Sequence, residues 1–163
     1  MKVTNIHTRT IPSPKEKVAE LFGTLASKND QIWPIDKWPR MKFKEGLKVG
    51  ATGGHGPIRY SVEQYIPGAF IRFKFSQPKG FDGFHQFEIK DLDKHTTVIK
   101  HTIDMQTSGK GSLAWVLVIR WLHDALIEDA FDKIENHFTT EKKETQWNIW
   151  VKLLRYLAKP KKK

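Results

Sequence analysis

An α+β fold, with antiparallel strands and one long helix towards the C-terminus, is what the sequence predicts, on three observations. Val3 to Ile11 is rich in β-branched residues and stops at Pro12, after which the spacing of apolar residues turns helical. Two later stretches alternate apolar and polar residues around short turns. Ser112 to Phe138 carries a sustained apolar stripe at helical period, far longer than any strand. Elements that come in blocks, with no regular strand–helix alternation, belong to the α+β class.

Taken in order, VTNIHTRTI at 3–11 is the first strand. In Ser13-Pro14-Lys15-Glu16, Ser13 is placed to cap a helix, Pro14 suits its first position and Glu16 completes a capping box. Val18, Leu21, Phe22 and Leu25 form the apolar stripe of that helix. Between Ser27 and Arg40, Trp33-Pro34 and Trp38-Pro39 predict irregular chain with two large aromatics that need cover. Gly50 to Gly56 (GATGGHG) is a turn region, in which His55 reads as a turn residue. It is no phosphate loop, because no Lys-Ser/Thr pair follows and a strand comes next.

The hairpin registers can be read. Strands 57–66 and 69–76 flank a Pro67-Gly68 turn, and pairing Ile66 with Ala69 puts Ile58, Tyr60 and Val62 on one face with Ile71, Phe73 and Phe75. Arg59, Glu63, Arg72 and Lys74 take the wet face. In the second hairpin, 84–90 and 96–105, the apolar residues Phe87, Ile89, Ile99, Ile103 and Met105 all carry odd numbers. So do His85 and His101, which face each other if the turn centres on Asp93.

On the long helix, Val116, Ile119, Ile127, Ala130, Ile134 and Phe138 share a stripe with His123 at its middle. Asp124, Glu128, Asp132 and Glu135 form a row on another face, expected to be solvated. After Thr140, Glu144 to Lys159 predicts an amphipathic helix ending in Pro160 and three lysines. Its polar arc is Asn148, Lys152, Arg155 and Lys159, and the rest is broadly apolar. The chain therefore divides into a domain, 1–138, and a basic helical tail, 139–163.

Composition limits the function. The 163 residues are 39% hydrophobic, enough for a single core. The absence of Cys excludes disulfides, thiolate catalysis and Cys-based zinc sites. Met1 to Thr10 does not read as a signal peptide, and the longest near-apolar run, Leu113 to Leu122, contains Arg120 and is short for a membrane span. A cytoplasmic protein is expected. Of the net charge of +10, the last 25 residues hold +6, from 8 basic and 2 acidic side chains. Lys37 to Lys48 interleaves basic residues with Trp38 and Phe43, but no nucleic-acid fold motif accompanies it, so no nucleic-acid partner is expected.

The opening VTNIHTRTIPSPKEKVAELF, the middle IRYSVEQYIPGAFIRFKF and the closing helix SLAWVLVIRWLHDALIEDAFDKIENHF resemble the SRPBCC, or START-like, superfamily. This is the helix-grip fold of the birch-pollen allergen class and of polyketide cyclase/dehydrases. The resemblance covers about residues 1–138. It implies a curved antiparallel sheet wrapped around the long helix, with a cavity between them for an apolar small molecule. The superfamily has no shared catalytic motif to transfer.

With that cavity in view, the expected ligand-binding residues are Tyr60, Val62, Phe73, Phe75, Phe87, Ile103 and Ile127, with His85, His101 and His123 as polar anchors and Arg120 as the cation at their edge. Three inward histidines raise the question of a metal. Asp124 and Glu128, however, are expected to project from another face, which leaves no further ligand, so neither metal nor cofactor is expected. No serine lies in a nucleophile elbow. The leading function is binding of an apolar or amphipathic small molecule, lipid- or polyketide-like. One alternative is a cyclase- or dehydratase-type enzyme using His85, His101 and His123 as acid and base. Another is an interaction protein whose tail, 144–163, contacts an anionic membrane surface.

Overall fold

The computed structural model describes residues 1–158. Seven antiparallel strands form one curved sheet in the order β1-β7-β6-β5-β4-β3-β2, so the first strand closes against the last. They are β1 (Lys2–Ile11), β2 (Lys42–Phe43), β3 (Thr52–His55), β4 (Ile58–Ile66), β5 (Phe70–Gln77), β6 (Phe81–Asp91) and β7 (Thr97–Thr107). Helix α1 (Lys15–Phe22) follows β1. The long helix is α2 (Gly109–Ala114), a π-helical turn (Trp115–Ile119) and α3 (Arg120–Phe138), and α4 (Ile149–Ala158) lies beyond. This is the α+β helix-grip architecture with an extra C-terminal helix.

Inward apolar alternation survives in β4 to β7. Tyr60, Val62, Ile71, Phe73, Phe87, Ile89, Ile99 and Ile103 are all at most 2% exposed. Gly83 lets the sheet close up where β6 meets β7: at φ 149, a Cβ there would stand 2.3 Å from the Asp104 carbonyl oxygen.

Several expectations are corrected. Ser13 makes no cap hydrogen bond; Pro14 is the N-cap, and the buried Ser13 offers its carbonyl to Thr97 Oγ1 at 2.7 Å. The first hairpin pairs Ile66 with Phe70, not Ala69, and an irregularity between Val62 and Gln64 absorbs the extra residue, so Val62 still faces Phe73 and Tyr60 faces Phe75. In the second hairpin Phe87 faces His101 and His85 faces Ile103, two residues from the expected register. A two-residue shift preserves the face, which is why both histidines remain inside.

The π-helical turn moves the helical stripe. One additional residue in a turn rotates everything before it by about 100°. The buried positions before His123 are accordingly Gly111 and Trp115, while Val116 is 48% exposed.

The acid row is no wet surface either. Strand β1 runs alongside α3 and turns Asn5, His7 and Arg9 towards it. Arg9 donates to Glu128 Oε2 (2.7 Å), Asp132 Oδ1 (2.9 Å) and Glu135 Oε2 (2.7 Å), and Asp132 and Glu135 are buried. A row of carboxylates on a buried face needs cations opposite it, and β1 supplies them.

The tail is helical from Ile149 and not from Glu144. It docks on its own domain through Val151 and Leu154, both buried. Asp129, 3% exposed, anchors the connection: it accepts from the indoles of Trp38 (2.7 Å) and Trp147 (2.9 Å) and pairs with Lys37. The expected end of the tail, Lys159 to Lys163, lies outside the described residues.

Candidate functional site

Between the sheet and the long helix lies a cavity of about 190 Å³. The sheet contributes Phe75, Phe81, His85 and Ile103, and the β3–β4 turn adds His55 to Ile58. From the long helix come Trp115, Ile119, Leu122, His123 and Leu126. Trp38 and Pro39 close one side together with Arg155 and Ala158 of α4. The walls are mostly apolar, as expected where a curved sheet cannot lie flush on a straight helix.

Of the sequence-predicted residues, Phe75, His85, Ile103 and His123 line this cavity. Tyr60, Val62, Phe73, Phe87, His101 and Ile127 lie in the packed core around it, each at most 2% exposed. Arg120 is elsewhere: it is exposed, 3.8 Å from Asp124 Oδ2, with its guanidinium over Trp121. Sequence reasoning missed His55, which the strand period carries to the end of β3, and the tail residues that form a wall.

The imidazoles form a connected group. His85 Nδ1 is 3.4 Å from His101 Nε2, and His85 stacks on Phe73 and Phe75 with ring centres 4.8 and 5.0 Å away. The rings of His101 and His123 stand 5.0 Å apart. His55 Nδ1 meets the Tyr60 hydroxyl at 2.9 Å. Burial pushes His85 and His101 well below the usual histidine range, aided by the neighbouring imidazoles, and it takes His55 down to about 3. At neutral pH these rings are neutral, and each can donate through one nitrogen and accept through the other. Three buried nitrogens, His85 Nε2, His101 Nδ1 and His123 Nε2, have no protein partner among the described residues.

At the outer side of His123 the charge changes. His7 Nδ1 lies 2.7 Å from Glu128 Oε1, and its Nε2 lies 3.1 Å from Asp124 Oδ1. Burial alone would lower His7, but the hydrogen bonds to Asp124 and Glu128 raise it to about 9. Asp124 Oδ1 is also 3.5 Å from His123 Nδ1. The carboxylate expected on another face thus sits beside His123, because the acid row faces β1.

No protein-family model and no curated protein matches the sequence. Solved structures are similar in fold. A protein from Nitrosospira multiformis aligns with a TM-score of 0.63 at 12% identity, over 85% of this chain and 97% of its own. The protein XoxI from Bacillus cereus gives 0.60 at 16% identity, over 83% and 95%. Norcoclaurine synthase from Thalictrum flavum, solved in complex with dopamine and hydroxybenzaldehyde, gives 0.60 at 12% identity, over 86% and 91%. At such identities these likenesses carry the fold: a curved antiparallel sheet with a long helix across it.

Proposed function

We propose that this protein binds a small, largely apolar organic molecule in the cavity between sheet and long helix. The observation that carries the reading is the pair of imidazole nitrogens, His85 Nε2 and His123 Nε2, that are buried without a protein partner on residues lining an otherwise apolar cavity. Buried polar atoms are nearly always hydrogen-bonded, so a ligand with one or two polar groups on an apolar body suits the site. Volume narrows the class. A cavity of about 150 Å³ accommodates benzene, so about 190 Å³ suits a single substituted ring more than a sterol or a long acyl chain. The synthase of similar fold was solved with two single-ring compounds, which is consistent with that size.

The test is ligand-observed NMR with a panel of phenols, benzaldehydes and simple aromatics, together with native mass spectrometry of freshly purified protein. Binding that shifts the His85 and His123 imidazole resonances and is lost in Leu122→Trp, which fills the cavity, supports the reading. No binding by any single-ring compound and no co-purifying molecule overturns it. Should a bound compound be turned over, His101→Gln and His123→Gln separate binding from acid–base catalysis: binding kept with turnover lost assigns these histidines to chemistry.

A second reading rests on the outer face of α4. Ile149, Leu153 and Leu157 are 83%, 44% and 68% exposed on a helix that also carries Lys152, and the Trp150 indole of the same helix donates to the carbonyl of the exposed Leu117 at 3.0 Å. An exposed apolar helix face in a basic segment suits an anionic bilayer surface. Co-sedimentation with phosphatidylserine vesicles that weakens with salt and disappears in Ile149→Glu/Leu157→Glu supports it. No pelleting, or a concentration-dependent dimer abolished by the same pair, overturns it.

A further inference from the structure

We propose that His7, His123 and Asp124 form a binding site for a divalent metal ion of the zinc type between β1 and α3, on the side of His123 away from the cavity. One ligand atom from each of the three lies within 4.8 Å of the others. Asp124 Oδ1 is 3.1 Å from His7 Nε2 and 3.5 Å from His123 Nδ1. Four-coordinate zinc with bonds of about 2.0–2.1 Å keeps its ligand atoms roughly 3.3 Å apart, so two of these separations already match a common centre. Two imidazoles and a carboxylate are a donor set for zinc-class ions, and no thiolate competes because the chain has no Cys.

The surroundings hold the donors in place. His7 Nδ1 is 2.7 Å from Glu128 Oε1, the carboxylate–histidine contact that leaves Nε2 free to ligate. Glu128 is itself fixed by Arg9 at 2.7 Å, and Asn5 Nδ2 donates to Asp124 Oδ1 at 2.9 Å. The donors come from β1 and α3, two regular elements packed side by side, so no loop has to be ordered. Three protein ligands leave a fourth position for water. With Nδ1 on the metal, the His123 proton resides on Nε2, the buried nitrogen without a protein partner. Without a metal, the same atoms are an ion pair of His7 with two carboxylates, and the experiment separates the two.

Tag-free protein is titrated with Co(II) and with Zn(II). The expected result is one Co(II) per chain with the intense visible absorption of four-coordinate cobalt, displaced by equimolar zinc, and a melting temperature raised by zinc. Affinity falls at least about tenfold in Glu128→Gln, which is no ligand but orients His7, and further in His7→Gln and Asp124→Asn. His137→Gln, on the exposed far end of α3, changes nothing. Wild-type protein that gives no such band, or only weak six-coordinate absorption, overturns the proposal. So does a band unchanged in Asp124→Asn. Because wild type alone can return the negative result, the test stands even if His7→Gln fails to fold.

Discussion

Arg155 of α4 lies over the indole of Trp38, its guanidinium carbon 4.5 Å from the ring centre, and its side chain also donates to the Lys37 carbonyl. Both residues line the cavity, so the C-terminal helix is a wall of the site and not an appendage to it.

Ending the chain at residue 148 removes Val151 and Leu154 from the core and opens that wall. Each buried side chain contributes roughly 1.5–3 kcal/mol, so the truncated protein is expected to lose about 3–6 kcal/mol by urea denaturation. Arg155→Ala should cost less, about 1–2 kcal/mol, since the cation–π contact is only partly buried. Equal stability of full-length and truncated protein would mean that the docking contributes nothing.

Arg9→Ala leaves Asp132 and Glu135 buried beside Glu128 with their shared cation gone. A loss of about 3–5 kcal/mol is expected, and Asp132→Asn in the same background should recover part of it, because Asp132 is then a buried carboxylate without its cation whereas Glu135 keeps Lys143. Chemical denaturation of the two variants decides this. Failure of the second to recover any stability argues against charge as the cause.

His85 and His55 set an acid limit. Burial holds both below the ordinary value of 6.5 in the folded chain. Above pH 6.5 neither folded nor unfolded chain carries these protons, and stability is undiminished. As pH falls below 6.5 the unfolded chain takes protons that the folded chain refuses, and stability drops by up to about 1.4 kcal/mol per pH unit for each histidine. His85→Phe, which keeps the ring stacked between Phe73 and Phe75, should make the decline shallower between pH 6.5 and 5. Parallel curves for the two proteins would exclude His85 as a source.

The faces of the strands were legible in the sequence because parity is robust. The second hairpin slips by two residues from the simplest register, yet His85 and His101 remain inside. The π-helical turn was not legible: nothing in Trp115 to Ile119 marks an extra residue per turn, and the rotation that buries Trp115 instead of Val116 follows from packing. The acid row was visible, but its burial was not, since its partners lie more than a hundred residues away. One signal was available. Asn5, His7 and Arg9 alternate on a single face of β1, three polar side chains in succession where a buried face should be apolar, and they match carboxylates spaced along one side of a helix. His7, which completes the candidate metal site, belongs to that signal.

The seam between β1 and α3 also dictates when the molecule can finish folding. Arg9 meets its three carboxylates 119, 123 and 126 positions further along the chain, and β1 has no strand partner until β7 has been made. During synthesis the first strand therefore has no strand partner until residue 107 has been made, and the carboxylates that Arg9 meets come only at 128 to 135. Such distant closure favours slow, all-or-none assembly, with the first ten residues among the last to be secured.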